Sequence, residues 1–283
     1  MKSLFKMMNS LFKLNFVIIT ALFCLSSCKN PALNNTPFTM GKLYNFEKIL
    51  VKGGDFWITT YQKIENKYEP YVFYIEGDQS SFSGKYKVSN NPTPKRQMFI
   101  SLAAMDKRAN VVYIAMPCQY TPMELNPQCD FSYWTDKRLS ENSVAAINDV
   151  IRKINPRDQK FSLVGYSAGG AITVLIAARN PMVKDIITIA GYLDSRAFTD
   201  YHNVPPMIGS LNPINYAKLI NNIPQRHISG GKDIITPAFI ADKYVEESSS
   251  FCVKQEIFPD LNHKNGWNKI WEYVYTRPVT CYE

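Results

Sequence analysis

The sequence predicts an α/β fold: a mostly parallel central sheet with helices on both faces. Three observations carry this. From residue 46 onward, apolar runs of strand length alternate with stretches of helical periodicity. Two of the runs, Tyr71–Ile75 and Val111–Met116, are apolar or aromatic throughout, as strands buried on both faces should be. A third run, Phe161–Val164, passes through a glycine-rich turn straight into a helical pattern, the unit from which parallel sheets are built.

The elements follow in order. Ile49–Val51 and Phe56–Thr60 flank Gly53-Gly54-Asp55 and read as an antiparallel hairpin. After the 71–75 and 111–116 strands, Ser140 caps a helix whose Val144, Ile147, Ile151 and Ile154 share one face. The Phe161–Val164 strand feeds a helix with Ala171, Val174, Leu175 and Ala178 inward, stopped at Arg179-Asn180-Pro181. Ile186–Ala190 is the next strand, and residues 191–224 are rich in Pro and Asn. A weaker strand lies at His227-Ile228, and Thr236-Pro237 opens a helix in cap-then-proline order. Gln255–Phe258 is the last strand, and Trp267, Ile270, Trp271 and Val274 mark a closing amphipathic helix. Nothing divides residues 46–283 into two domains, and no internal repeat is visible.

Composition narrows the class. The 283 residues are 46% hydrophobic and 20% charged, enough to bury a core and too polar for a multi-span membrane protein. The formal charge is +8, but residues 1–27 hold Lys2, Lys6 and Lys13 and no acid, so without them it falls to +5. No block of five or six basic residues remains, and a nucleic-acid partner is not expected. Those first residues read as a leader: a lysine-bearing head, then a ten-residue apolar run, Phe16–Leu25, too short to span a bilayer. Leu25-Ser26-Ser27-Cys28 resembles the bacterial lipobox, which implies cleavage before Cys28 and its lipidation. Lys29 next to it implies sorting to the outer membrane, facing periplasm or exterior. Residues 28–45, with Pro31, Asn34, Asn35 and Pro37, read as a tether.

Export suits the remaining cysteines. Four lie beyond the leader and anchor, and an oxidising compartment lets them pair as Cys118–Cys129 and Cys252–Cys281. No Cys-x-x-Cys occurs and the three histidines are scattered, so neither a metal nor a cofactor is expected.

The chemistry is carried by Gly165-Tyr166-Ser167-Ala168-Gly169, a G-x-S-x-G motif set between a strand and a helix. Small residues at its ends permit the sharp turn that lifts a serine above the sheet. A serine hydroxyl needs a base to become a nucleophile. Of His202, His227 and His263, only His263 follows the last strand and leaves room for an acid in the order Ser, acid, His. His227 reads as a satisfied sheet histidine, and His202 as part of a region that could cover the site. The expected acid is Asp233, after the 227–228 strand, with Asp194 as rival. The oxyanion needs two backbone N–H groups: Ala168, after the nucleophile, and Asp78, just beyond Gly77, with Gln79 as the alternative. Trp134, Lys137 and Arg138 could recognise substrate, but read more simply as a packed loop with a solvated charged end.

These stretches resemble the α/β-hydrolase superfamily, and more narrowly a group of exported bacterial proteins of that fold. The matches are Tyr-Ile-Glu-Gly-Asp (74–78), Asn-Pro-Thr-Pro-Lys (91–95), Met-Pro-Cys-Gln-Tyr (116–120), Tyr-Trp-Thr-Asp-Lys-Arg (133–138), Gly-Tyr-Ser-Ala-Gly-Gly (165–170) and Ser-Leu-Asn-Pro (210–213). The resemblance implies the α/β-hydrolase fold with a small cap region and a Ser167–His263–Asp233 triad. Glu76 stands where the commoner pattern has His. The expected activity is hydrolysis of a small-molecule or lipid ester through an acyl-enzyme, on a protein held to the membrane by Cys28. The alternatives are a peptidase or amidase, or a non-catalytic surface lipoprotein that uses the fold for binding.

Overall fold

A computed structural model describes residues 45–83 and 87–281. The leader, the lipobox and Cys28 lie outside the described residues. Eight strands form one sheet in the order β1-β2-β4-β3-β5-β6-β7-β8. They are β1 (Glu47–Gly53), β2 (Phe56–Ile64), β3 (Tyr71–Ile75), β4 (Asn110–Ile114), β5 (Phe161–Tyr166), β6 (Val183–Ile189), β7 (Gln225–Gly230) and β8 (Val253–Phe258). β1 and β2 pair antiparallel through a two-residue turn, with Gly53 opposite Phe56 and Gly54 at a φ of 51°. β2 also runs antiparallel to β4, and every other pairing is parallel.

The described residues form six α-helices: α1 (Met98–Met105), α2 (Glu141–Ile154), α3 (Ala168–Ala177), α4 (Ser195–His202), α5 (Ala238–Ser248) and α6 (Trp267–Thr276). Each face of the sheet carries its own core. On one, Phe99, Leu102, Trp267 and Trp271 from α1 and α6 pack on Tyr74, Tyr113 and Tyr166. On the other, Val144, Ile147 and Ile151 of α2, Ile172 and Leu175 of α3, and Tyr244 of α5 pack on Phe73, Ile114 and Leu163. β3, β4 and β5 are therefore buried on both faces, which is why they read as unbroken apolar runs.

Two helices have no counterpart in the sequence reading. α1 (MFISLAAM) is apolar around most of its circumference and its N-cap residue, Gln97, makes no side-chain capping bond, so neither periodicity nor a cap marks it. α4 lies inside the Pro- and Asn-rich 191–224 stretch and is started by Asp194, whose carboxylate accepts from the N–H groups of Arg196 and Ala197. The start of α5 also differs. Pro237, not Thr236, is the N-cap, because its backbone is still extended, with φ −58° and ψ 148°; the Thr236 N–H is held in the loop by the Asp233 carboxylate at 2.8 Å.

Topology fixes where a site can form. The chain runs from β3 through α1 to β4 on one side, then crosses to β5 on the other, so β3 lies between strands that lead in opposite directions. The loops leaving β3 and β5 lead there to helices on opposite faces, α1 and α3, the switch point at whose strand carboxyl ends open α/β sheets place their sites. Cys118–Cys129 staples the loop after β4, and Cys252–Cys281 ties the C-terminal segment to the start of β8. Among the described residues, no helix is long and apolar enough to cross a membrane.

Candidate active site

Ser167 sits on the turn between β5 and α3 with φ 53° and ψ −117°. A non-glycine residue in that region costs on the order of 1–3 kcal/mol and persists only where its surroundings enforce it. They do. The Ser167 N–H donates to the Ile189 carbonyl at 2.9 Å, and its own carbonyl accepts from Gly170 at 3.0 Å. The flanking glycines have no alternative: a Cβ on Gly165 would lie 2.3 Å from the Gly169 carbonyl oxygen, and one on Gly169 only 2.0 Å from that of Ile75. Although Ser167 holds the N-cap position of α3, its hydroxyl makes no capping bond and is left for other partners.

His263 supplies one. Its Nε2 is 3.2 Å from Ser167 Oγ, and its Nδ1 is 2.8 Å from Asp233 Oδ2. A carboxylate can only accept, so Nδ1 carries the proton and Nε2 presents its lone pair to the serine O–H. The other carboxylate oxygen of Asp233 accepts from Ile235 N and Thr236 N, each at 2.8 Å, so the acid is fixed to its own loop. The His263 carbonyl accepts from Tyr166 Oη and Trp267 Nε1, both at 2.9 Å, and the Tyr166 ring lies against the imidazole. Ser167, Asp233 and His263 are all about 5% exposed or less.

The rivals lie elsewhere. Asp194 is occupied as the cap of α4 and by Asn212 Nδ2 at 2.9 Å. His227 is fully buried between Thr188 and Gln225, and burial lowers its pKa to about 3, so it is a neutral core residue. His202 Nε2 contacts the Ile235 carbonyl at 2.7 Å and so braces the loop that carries Asp233.

The loop after β3 lies against the elbow. A Cβ on Gly77 would meet the Tyr166 carbonyl oxygen at 2.8 Å, so glycine permits the approach. The Gly77 N–H is consumed by Glu76 Oε1 at 2.8 Å. Among the described residues, the backbone N–H groups of Asp78 and Ala168 donate to no protein acceptor. That of Gln79 does not either, so this criterion leaves Asp78 and Gln79 both open.

Supports for this loop escaped the sequence reading. Glu76 is completely buried; it also accepts from Gln79 Nε2 at 3.2 Å and from Tyr113 Oη at 2.5 Å. Burial raises its pKa to about 7, against the pull of those bonds, with a further upward push from Asp78. Gln119 Nε2 holds the Gly77 carbonyl at 2.9 Å. Arg138 corrects an expectation. It is not a solvated end but 7% exposed, ion-paired with Asp78, whose other oxygen is 3.5 Å from Ser167 Oγ. Trp134 is buried and Lys137 exposed, as a packed loop requires. No signal within one segment reveals an ion pair between positions 78 and 138.

No protein-family model matches the sequence, and no curated protein does. Solved structures do. An esterase of Pyrococcus furiosus superposes with a TM-score of 0.56 at 14% identity, over 83% of this chain and 91% of its own. An acylaminoacyl peptidase of Pyrococcus horikoshii gives 0.58 at 16% identity, over 86% of this chain and 44% of its own. An alpha/beta fold family hydrolase from Bacillus anthracis gives 0.50 at 11% identity, over 82% and 99%. With the sheet order and the strand–turn–helix position of Ser167, these similarities establish that the chain has the α/β-hydrolase fold.

Proposed function

We propose that the protein is a serine hydrolase acting on a carboxylic ester through an acyl-enzyme, with Ser167 as nucleophile, His263 as general base and acid, and Asp233 as its orienting acid. The observation that carries this is the hydrogen-bonded series Asp233–His263–Ser167, at 2.8 and 3.2 Å, ending on a serine held in a strained turn. As the Ser167 oxygen bonds to the acyl carbon, its proton passes to His263 Nε2. Asp233 holds the ring in place and stabilises the imidazolium. The negative charge on the former carbonyl oxygen is met by the N–H groups of Ala168 and Asp78. Collapse of this adduct expels the alcohol, which takes the proton from His263. A water then gives a proton to the same nitrogen as it attacks the acyl carbon, and His263 returns that proton to the departing Ser167 oxygen, releasing the acid and restoring the serine.

The same steps cleave an amide, and likeness to an acylaminoacyl peptidase favours that as a second reading. We further propose that Cys28 is lipidated and holds the domain at the bacterial cell envelope, with Leu25-Ser26-Ser27 before it as support.

A fluorophosphonate probe and a panel of chromogenic esters of increasing chain length test the chemistry. Wild type should be labelled and turn over at least one ester, and Ser167→Ala should do neither. Asp233→Asn should lower kcat on the order of 10⁴-fold, by the equivalent change in a protease triad. Folded wild-type protein that neither takes the probe nor cleaves any ester or amide would leave a binding module as the better reading.

A further inference from the structure

The proposed oxyanion donor has an electrostatic difficulty. Asp78 offers a backbone N–H, yet its side chain is a carboxylate with Oδ1 3.5 Å from Ser167 Oγ. A free carboxylate there would compete with His263 for the hydroxyl proton. It would also repel the negative charge that forms on the substrate oxygen, in a water-poor site where such repulsion is large. Asp78 is not the only acid near the nucleophile, since Glu76 and Asp233 lie on adjoining loops. Among the described residues, Arg138 is the one Lys or Arg that pairs with any of the three.

Its geometry is that of a fixed clamp. Arg138 lies between the short turn Phe131–Trp134 and helix α2. Its Nε donates to the Thr135 carbonyl at 2.6 Å, its Nη1 to Asp78 Oδ2, and the buried Tyr192 hydroxyl is a further neighbour. Tethered at one end to backbone and at the other to the acid, the guanidinium holds one carboxylate oxygen, Oδ2. The other oxygen is left only the long contact to the serine. An Arg buried with a single acid is weak evidence for stability, because desolvation offsets much of the attraction. A role in the reaction accounts for its place better.

We propose that Arg138 is a positioning residue for ester hydrolysis: by clamping and neutralising the Asp78 carboxylate, it lets the Asp78 N–H stabilise the oxyanion beside Ser167. The inference rests on the serine-hydrolase reading above. It makes Arg138 act through Asp78 and not through the substrate, so removing it should harm turnover far more than binding.

Arg138→Met, Arg138→Lys, Asp78→Asn and the double variant Arg138→Met/Asp78→Asn test this, on an ester that wild type hydrolyses. Arg138→Met should lower kcat about 100-fold or more, the size of effect seen when one oxyanion donor is lost, and leave KM within about twofold. Adding Asp78→Asn should restore kcat at least tenfold, since the charge goes and the backbone N–H stays. Arg138→Lys keeps the cation without the fork and should lie between wild type and Arg138→Met; it serves as the folded comparison if the methionine variant does not fold. An Arg138→Met kcat within threefold of wild type overturns the inference. So does a double variant no better than the single one, or, if neither Met variant folds, an Arg138→Lys kcat equal to wild type. Wild type that fails to label with fluorophosphonate defeats the hydrolase reading itself, a result distinct from a labelled wild type with an unaffected Arg138→Met.

Discussion

Glu76 makes the protein's stability depend on pH in a direction unusual for a carboxylate. Its pKa is raised from 4.5 to about 7, by burial first, and the bonds from Tyr113, Gly77 and Gln79 recover only part of that cost. The folded state therefore holds the proton more tightly than the unfolded chain. Stability from this group is complete below pH 4.5 and is lost as pH rises to about 7. The window of about 2.5 pH units corresponds to about 3 kcal/mol at 1.36 kcal/mol per unit. His227 works the other way: burial lowers its pKa from 6.5 to about 3, so its contribution is lost as pH falls through that range. The two overlap between pH 4.5 and 6.5 and mask each other in wild type. Comparison with Glu76→Gln separates them, since the amide keeps the shape and does not titrate, while the His227 term cancels. Urea unfolding of both proteins between pH 4.5 and 8 should show wild type losing about 3 kcal/mol relative to the variant as pH rises. A difference that stays flat across that range would refute the buried-carboxylate argument.

Three further outcomes are expected. A fatty-acid probe should mark wild type in cells and not Cys28→Ala; equal labelling of the two rejects the anchor. Replacing Cys118 and Cys129 by Ser should cost about 3 kcal/mol by the chain-entropy argument for a loop of this size. Because Gln119 within that loop holds the Gly77 carbonyl, ester turnover should fall as well, and an unchanged melting temperature and rate would count against both effects. Gly169→Ala, whose Cβ would press on the Ile75 carbonyl at 2.0 Å, should abolish probe labelling. Gly54→Ala meets nothing within 4 Å and should cost only about 1–2 kcal/mol for its φ of 51°, with labelling intact.

The fold was legible where burial and periodicity agree. β3 and β5 are covered on both faces, so their runs could be nothing but apolar, and α2 declares itself through the Ser140 cap and a single apolar face. α1 was silent for a physical reason: its inner face packs on α6 and the sheet, and its outer face carries Met98, Ala104 and Met105, so apolar residues on both sides leave no period. α4 was hidden by its composition, since Asp194 reads equally as a loop acid or a cap until its neighbours' N–H groups are placed. The start of α5 falls one residue later than the cap-then-proline order suggests because Pro237 keeps an extended ψ of 148°.

At the candidate site the division falls between backbone and charge. The elbow demands glycine at 165 and 169 because a Cβ at either would lie within 2–3 Å of backbone atoms, and such a demand is written in residue types. Three histidines left little choice of base. Arg138 and Glu76 carry no such mark: a lone charge in sequence reads as solvated, and only the return of a distant segment buries it. Both converge on the four residues after β3, Arg138 through Asp78 and Glu76 through Gly77 and Gln79. Substitutions at the two positions must therefore couple in their effect on turnover, since each shifts the same short loop against Ser167. His227 touches neither that loop nor the elbow; it is held by Thr188 and Gln225 within the sheet, so its replacement should add to theirs independently.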